Sequence, residues 1–86
     1  MSYQVQLSPS AQRQLGRLSG ETHRRLESVM DELARNPRPL GCRKMVDSVN
    51  EWRIRVGAYR IIYTIDDAER QILIRRIGHR RDVYRY

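Results

Sequence analysis

The run Trp52-Arg53-Ile54-Arg55-Val56-Gly57-Ala58-Tyr59-Arg60-Ile61-Ile62-Tyr63 carries the strongest chemical signal in this 86-residue chain. Gly57-Ala58 reads as a two-residue hairpin loop with glycine first, the pattern of a type II′ turn. Such a loop sets Val56 opposite Tyr59, Ile54 opposite Ile61 and Trp52 opposite Tyr63, all on one side of the sheet, which becomes the core side. The other side receives Arg53, Arg55 and Arg60, with Arg55 directly opposite Arg60. Like charges in that position cost from a few tenths to about 1 kcal/mol, so stability alone does not select them. An anion held between them accounts for the arrangement. The planar fork of arginine, which binds two oxygens at once, points to phosphate.

Extending the ladder through a loop at Asp66–Glu69 predicts Arg75 beside Arg60, with Ile72 and Ile74 joining Tyr63 and Ile61 in the core. Leu73 and Ile77 then fall on the arginine side. The chain closes with Gly78-His79-Arg80-Arg81-Asp82-Val83-Tyr84-Arg85-Tyr86. Tyr84 and Tyr86 interleaved with Arg81 and Arg85 suit unpaired bases, since rings stack on bases and arginines meet phosphates. A helical tail that packs Val83 and Tyr84 on the sheet explains the same residues. Cleavage of RNA without a metal or other cofactor needs a base for the 2′-OH, charge stabilisation of the phosphorane and departure of the 5′ oxygen. Clustered guanidiniums supply the second. Arginine stays charged and makes a poor base, which leaves His79 and Tyr84 as the titratable groups of the basic half placed for proton transfer.

Other chemistries find little support. Cys42 is the single cysteine, so no internal disulfide forms, and with only His23 and His79 beside it no cluster has metal-ligand spacing. Cys42 reads as an inert small side chain and His23 as a surface histidine. No apolar run follows a basic start, and no stretch is long enough to span a membrane, so a cytoplasmic protein is expected. Net charge is +7, and among the 17 basic residues only Lys44 is a lysine. Residues 1–36 carry a net of +1 and residues 37–86 a net of +6. Charge gathered in the second half points to a polyanion or an acidic protein as partner.

Elements that position these groups are legible from periodicity. Tyr3, Val5 and Leu7 alternate as in a half-buried strand. Ser8 is placed to cap a helix with Pro9 at its first position. Ala11, Leu15 and Leu18 line one face of that helix, and Ser19-Gly20 breaks it. Leu26, Val29, Met30 and Leu33 mark a second helix ending at Asn36-Pro37. From Cys42 onward the period becomes two: a short strand near Arg43–Val46, then Trp52–Val56, Tyr59–Ile65 and Arg70–Ile77. The expected fold is α+β, a single domain over residues 1–86. It has an N-terminal strand, an antiparallel two-helix hairpin, a mainly antiparallel sheet of three to four strands and a short C-terminal tail. The core of so short a chain is thin.

The Trp52–Tyr63 run resembles the signature hairpin of the RelE/ParE toxin superfamily. The ending Ile77-Gly78-His79-Arg80-Arg81-Asp82-Val83-Tyr84-Arg85 resembles the C-terminal motif of its RelE branch. The resemblance implies a toxin of a type II toxin–antitoxin system with a cognate antitoxin, acting as an endoribonuclease on mRNA in the ribosomal A site of a bacterium or archaeon. It implies products with a 2′,3′-cyclic phosphate and a 5′-OH. The motif positions carry Arg53, Arg55, Arg60, His79, Arg80 and Tyr84 as catalytic residues, with Arg75, Arg81, Arg85 and Tyr86 as RNA contacts. Arg53 and Arg55 depart from the family's best-studied enzymes, which hold lysines there, and this places proton transfer on His79 and Tyr84. Three rival expectations use the same residues: inhibition of DNA gyrase by binding, as in ParE-type toxins, a non-catalytic RNA-binding domain, and a basic face that docks an acidic antitoxin segment with no nucleic-acid role of its own.

Overall fold

A computed structural model of the chain describes residues 2–46 and 50–81. The element order is β1 (Gln4–Leu7), α1 (Pro9–Gly16), α2 (Gly20–Arg35), β2 (Arg43–Lys44), β3 (Glu51–Val56), β4 (Tyr59–Asp66) and β5 (Gln71–His79). Ser8 caps α1 as its chemistry requires: its Oγ accepts from the Ala11 N–H at 3.1 Å, with Pro9 in the first turn. α2 stops at Arg35 because Pro37 cannot continue it.

The fold is α+β, and its sheet has five strands in the order β1-β5-β4-β3-β2. Four antiparallel strands and the N-terminal strand expected from the sequence make it up. β1 is that N-terminal strand, and it returns to pair in parallel with β5, Gln4 with Gln71 through Leu7 with Ile74. A parallel edge leaves no hairpin signature in the sequence, because its two strands are joined through the whole chain.

Both helices cover one face of the sheet, α1 over β5 and α2 over β1 and β3. Ala11, Leu26, Met30 and Leu33 from the helices meet Ile54, Val56, Ile61, Tyr63, Ile65, Ile72, Ile74 and Ile77 in one apolar cluster. Tyr63 is fully buried and donates its hydroxyl to the Pro37 carbonyl at 2.8 Å, tying β4 to the segment after α2. At the end of the sheet near the β4–β5 turn, Arg38 holds Asp67 with two hydrogen bonds at 2.8 and 3.2 Å and lies 5.0 Å over the Trp52 ring. Tyr3 adds a third bond to Asp67 at 2.6 Å.

The hairpin register agrees with the sequence reading pair for pair: Val56 with Tyr59, Arg55 with Arg60, Ile54 with Ile61 and Trp52 with Tyr63. Gly57 has φ +63 and Ala58 is not among the positive-φ residues, the sign pattern of a II′ turn.

The β4–β5 register departs from expectation. The turn occupies Asp67–Arg70, with Asp66 paired to Gln71, and Arg70 takes a left-handed φ of 53° at its end. The Asp66 carboxylate closes it by accepting from the Glu69 N–H at 3.0 Å. A register shift between Ile62 and Tyr63 then moves every later pair, so Arg60 lies beside Gly78, not Arg75. Ile77 consequently turns into the core, fully buried, where the arginine side was expected. Leu73 stays on that side, paired with Thr64.

The bulge lies just past the end of β1. Beyond the Leu7–Ile74 pair β5 has no strand on that flank, and its backbone groups must find other partners. α1 and its cap supply them. The Ser8 N–H donates to the Ile74 carbonyl at 2.9 Å, Ser8 Oγ donates to the Arg75 carbonyl at 2.8 Å, and Gln14 Oε1 accepts from the Ile77 N–H at 2.7 Å.

Candidate active site

The sheet face opposite the helices carries the arginines in rows that cross the strands. One row runs Arg43, Arg53, Ile62 and Arg76 over β2 to β5, each a register partner of the next. The next runs Arg55, Arg60 and Gly78 over β3 to β5. Because the bulge leaves Arg75 without a register partner between Ile74 and Arg76, two successive arginines serve the same face. Ile62, 3% exposed, lies within the arginine rows and outside the helix-side cluster. It gives the face an apolar floor between charges.

Arg53 and Arg55 also line, with Arg43 and Gly41, a pocket of about 250 Å³ at the β2–β3 edge. Three guanidiniums converging on one pocket form an electrostatic trap for a phosphate or other polyanion. Arg55 and Arg43 are exposed, whereas Arg53, Arg60 and Arg76 are half-buried.

Among the described residues, a carboxylate enters this field beside Arg53. Glu51 precedes Arg53 by two positions on β3, so it shares its face, and it pairs with Arg75 across β4 at 3.7 Å. An ion pair between β3 and β5 must pass over the intervening β4, here on the open face.

Arg53, Arg55 and Arg60 therefore come together as the sequence predicted. Arg75 reaches the same face through the bulge and its bond to Glu51, not through Arg60. Arg80 continues the ladder, its N–H bonded to the Ala58 carbonyl at 2.9 Å, and is exposed at the hairpin tip. Arg81, also exposed, donates its N–H to His79 Nδ1 at 3.3 Å.

His79 goes elsewhere. It pairs with Tyr59, and their rings meet edge-on at 5.7 Å between centroids. Tyr59 packs against the helix-side core, so the imidazole stands on the side of the sheet away from Arg55 and Arg60. The bulge causes this too, because it sets Ile77 and His79 together on the core side. Tyr84, Arg85 and Tyr86 lie outside the described residues.

Sequence reasoning misses Arg43, Arg76, Glu51 and Gln14. Arg43 has a signal, a short strand before β3, but alternation alone does not say which strand it pairs with. Arg76 and Glu51 become visible only when the bulge and the cross-sheet ion pair are known.

Comparison with known proteins agrees with this architecture. The family model of the ParE toxin of type II toxin–antitoxin systems matches residues 5–84. Toxin RelG of Mycobacterium tuberculosis is 31% identical over 86 residues, covering 99% of each chain. A chain of the archaeal RelE–RelB complex from Pyrococcus horikoshii superposes with a TM-score of 0.82 at 26% identity, covering 93% of this chain and 97% of that one. A chain of the toxin–antitoxin complex RelBE2 from Mycobacterium tuberculosis does so with the same score and identity, covering 93% and 100%.

Proposed function

The chain belongs to the ParE toxin family of type II toxin–antitoxin systems, within the RelE/ParE superfamily, and from that premise we propose that it is an endoribonuclease that cleaves mRNA. The message is held in the ribosomal A site on the small subunit, and no metal takes part. The observation that carries the reading is the two rows of arginines on the open face, with Arg43, Arg53 and Arg55 around one pocket.

A 2′-OH attacks the adjacent phosphate, the bond to the 5′ oxygen breaks, and a 2′,3′-cyclic phosphate and a 5′-OH result. Arg53, Arg55 and Arg60 stabilise the charge that grows on the phosphorane oxygens, worth about 3–4 kcal/mol for a well-placed donor. Arg80 and Arg81 at the hairpin tip, and Arg75 and Arg76 farther along β5, steer the backbone of the message. Tyr84, Arg85 and Tyr86 complete the contact in this reading. A cognate antitoxin neutralises the toxin in the cytoplasm, as the RelB complexes of its structural relatives suggest.

Primer extension on a defined mRNA, with and without ribosomes, tests this with wild type and Arg80→Ala. Cuts that appear with wild type and fade with Arg80→Ala support the reading. The matching family model is that of the ParE toxin, and a second reading is the gyrase inhibition by binding that the resemblance to ParE-type toxins implies. A protein that cuts no message and blocks supercoiling belongs there. A protein that binds RNA but neither cuts nor blocks supercoiling is a binding domain.

A further inference from the structure

Cleavage by attack of a 2′-OH needs a group to take the proton, and among the described residues the arginines of the two rows do not do so readily. A guanidinium is a poor proton acceptor. His79 faces the helix side against Tyr59. We propose that Glu51, the carboxylate set into the arginine field beside Arg53, is the base that accepts the proton of the attacking 2′-OH. The inference rests on the nuclease reading of this face.

Three observations support it. Glu51 alternates with Trp52, Ile54 and Val56, whose side chains join the helix-side cluster, so its own side chain is on the arginine face. It stands two residues before Arg53, about 7 Å along the strand. That is the order of separation that lets one long side chain hold the phosphate while its neighbour reaches the ribose hydroxyl. Its carboxylate is accessible, at 31% side-chain exposure, yet fixed in direction by Arg75 at 3.7 Å. An ion pair this exposed is weak and can yield one carboxylate oxygen to a substrate hydroxyl.

The surroundings of Glu51 are named easily. Arg75 and Arg76 face it from β5, Arg53 from its own strand and Arg43 from β2. Its partner on β4 is the uncharged Thr64. Asp66 is on the same face at the end of β4, but its Oδ1 is engaged by the Glu69 N–H. Among the described residues Glu51 is thus the carboxylate inside the rows.

The step balances simply. Glu51 takes the proton of the 2′-OH as the bond from O2′ to phosphorus forms and the bond to O5′ breaks. The departing O5′ takes a proton from water, and the Glu51 carboxyl returns its own to solvent.

Single-turnover cleavage of a defined ribosome-bound mRNA across pH tests the assignment, using wild type, Glu51→Gln, Glu51→Asp and Arg75→Ala, with thermal melts to establish folding. Glu51→Gln is expected to slow cleavage by about 100-fold or more and to abolish the rise of rate with pH on the acid limb. Glu51→Asp, which keeps a shorter carboxylate, retains that limb at a reduced rate and covers the case in which the glutamine variant fails to fold. Arg75→Ala loses the ion pair and keeps the limb. If Glu51→Gln keeps the limb and falls no further than Arg75→Ala, Glu51 only anchors Arg75 and the assignment is overturned. A wild type that cuts no message overturns the nuclease reading and the assignment together.

Discussion

Arg55 faces Arg60 across β3 and β4, two like charges in one register position on the open face. Facing like charges on a sheet destabilise it by up to about 1 kcal/mol. Arg55 is exposed, so an uncharged, strand-forming replacement removes the repulsion without opening a cavity. Arg55→Thr is expected to raise the melting temperature at low salt by about 4 °C, given that 1 kcal/mol moves a domain of this size by about 4–8 °C. Added salt narrows the difference, because screening relieves the same repulsion in wild type. The variant also loses RNA affinity. An unchanged or lower melting temperature at low salt would show that the pair is not strained and would remove the argument that function selected it.

The Asp67 carboxyl makes acid the condition that loosens the far end of the sheet. The bidentate Arg38 guanidinium, and after it the Tyr3 hydroxyl, holds its pKa at about 2 against an ordinary 3.8. Since the folded value lies below the unfolded one, the stabilisation is fully present above the ordinary value and is lost as pH falls through about 2. Urea unfolding followed from pH 5 down to pH 2 is expected to show stability falling in wild type and falling less steeply in Asp67→Asn. Equal slopes for the two proteins would mean that the clamp is not coupled to folding.

Gln14 holds β5 just past the bulge that brings Arg75 and Arg76 to the open face. Its Oε1 receives the Ile77 N–H two residues beyond Arg75, where β1 has already ended. Gln14→Leu fills similar space and leaves that partly buried N–H unsatisfied, which costs about 1–3 kcal/mol. A rearranged bulge should also disturb the Glu51–Arg75 pair and weaken RNA binding. Gln14→Glu keeps an acceptor at the same place and is expected to recover most of the stability. Equal losses from both substitutions would assign the effect to helix packing instead of the bond.

These cases show why some of the molecule is legible in its sequence and some is not. The Trp52–Tyr63 hairpin is readable because a two-residue loop with glycine first admits one register, and alternation then sorts arginines from core residues. α1 and α2 announce themselves through Ser8-Pro9, Asn36-Pro37 and their apolar spacing. The β4–β5 pairing is not readable. Its turn needs a left-handed Arg70, which no residue preference flags, and its bulge sits just past the end of β1, a strand far away in sequence. Sequence spacing alone therefore sets Arg75 beside Arg60 and groups His79 with the arginines, whereas the register carries the imidazole to Tyr59. The parallel β1 edge and the Glu51–Arg75 pair are likewise long-range facts.

Salt dependence distinguishes a face that meets the message from a basic surface that serves solubility. Binding to single-stranded nucleic acid weakens with salt in proportion to the phosphates neutralised, with a slope in log–log form of about −0.7 per contact. Arg43 and Arg76 stand at the two ends of one row on the open face. Arg24 is exposed on α2, the helix that covers the opposite face. Measured on RNA whose 2′ positions are methylated, so that no cleavage intervenes, Arg43→Ala and Arg76→Ala are each expected to flatten the slope by about 0.7. Arg24→Ala is expected to leave it unchanged. If Arg24→Ala flattens the slope as much as the other two, binding follows net charge alone, and the rows of guanidiniums are not the surface the message touches.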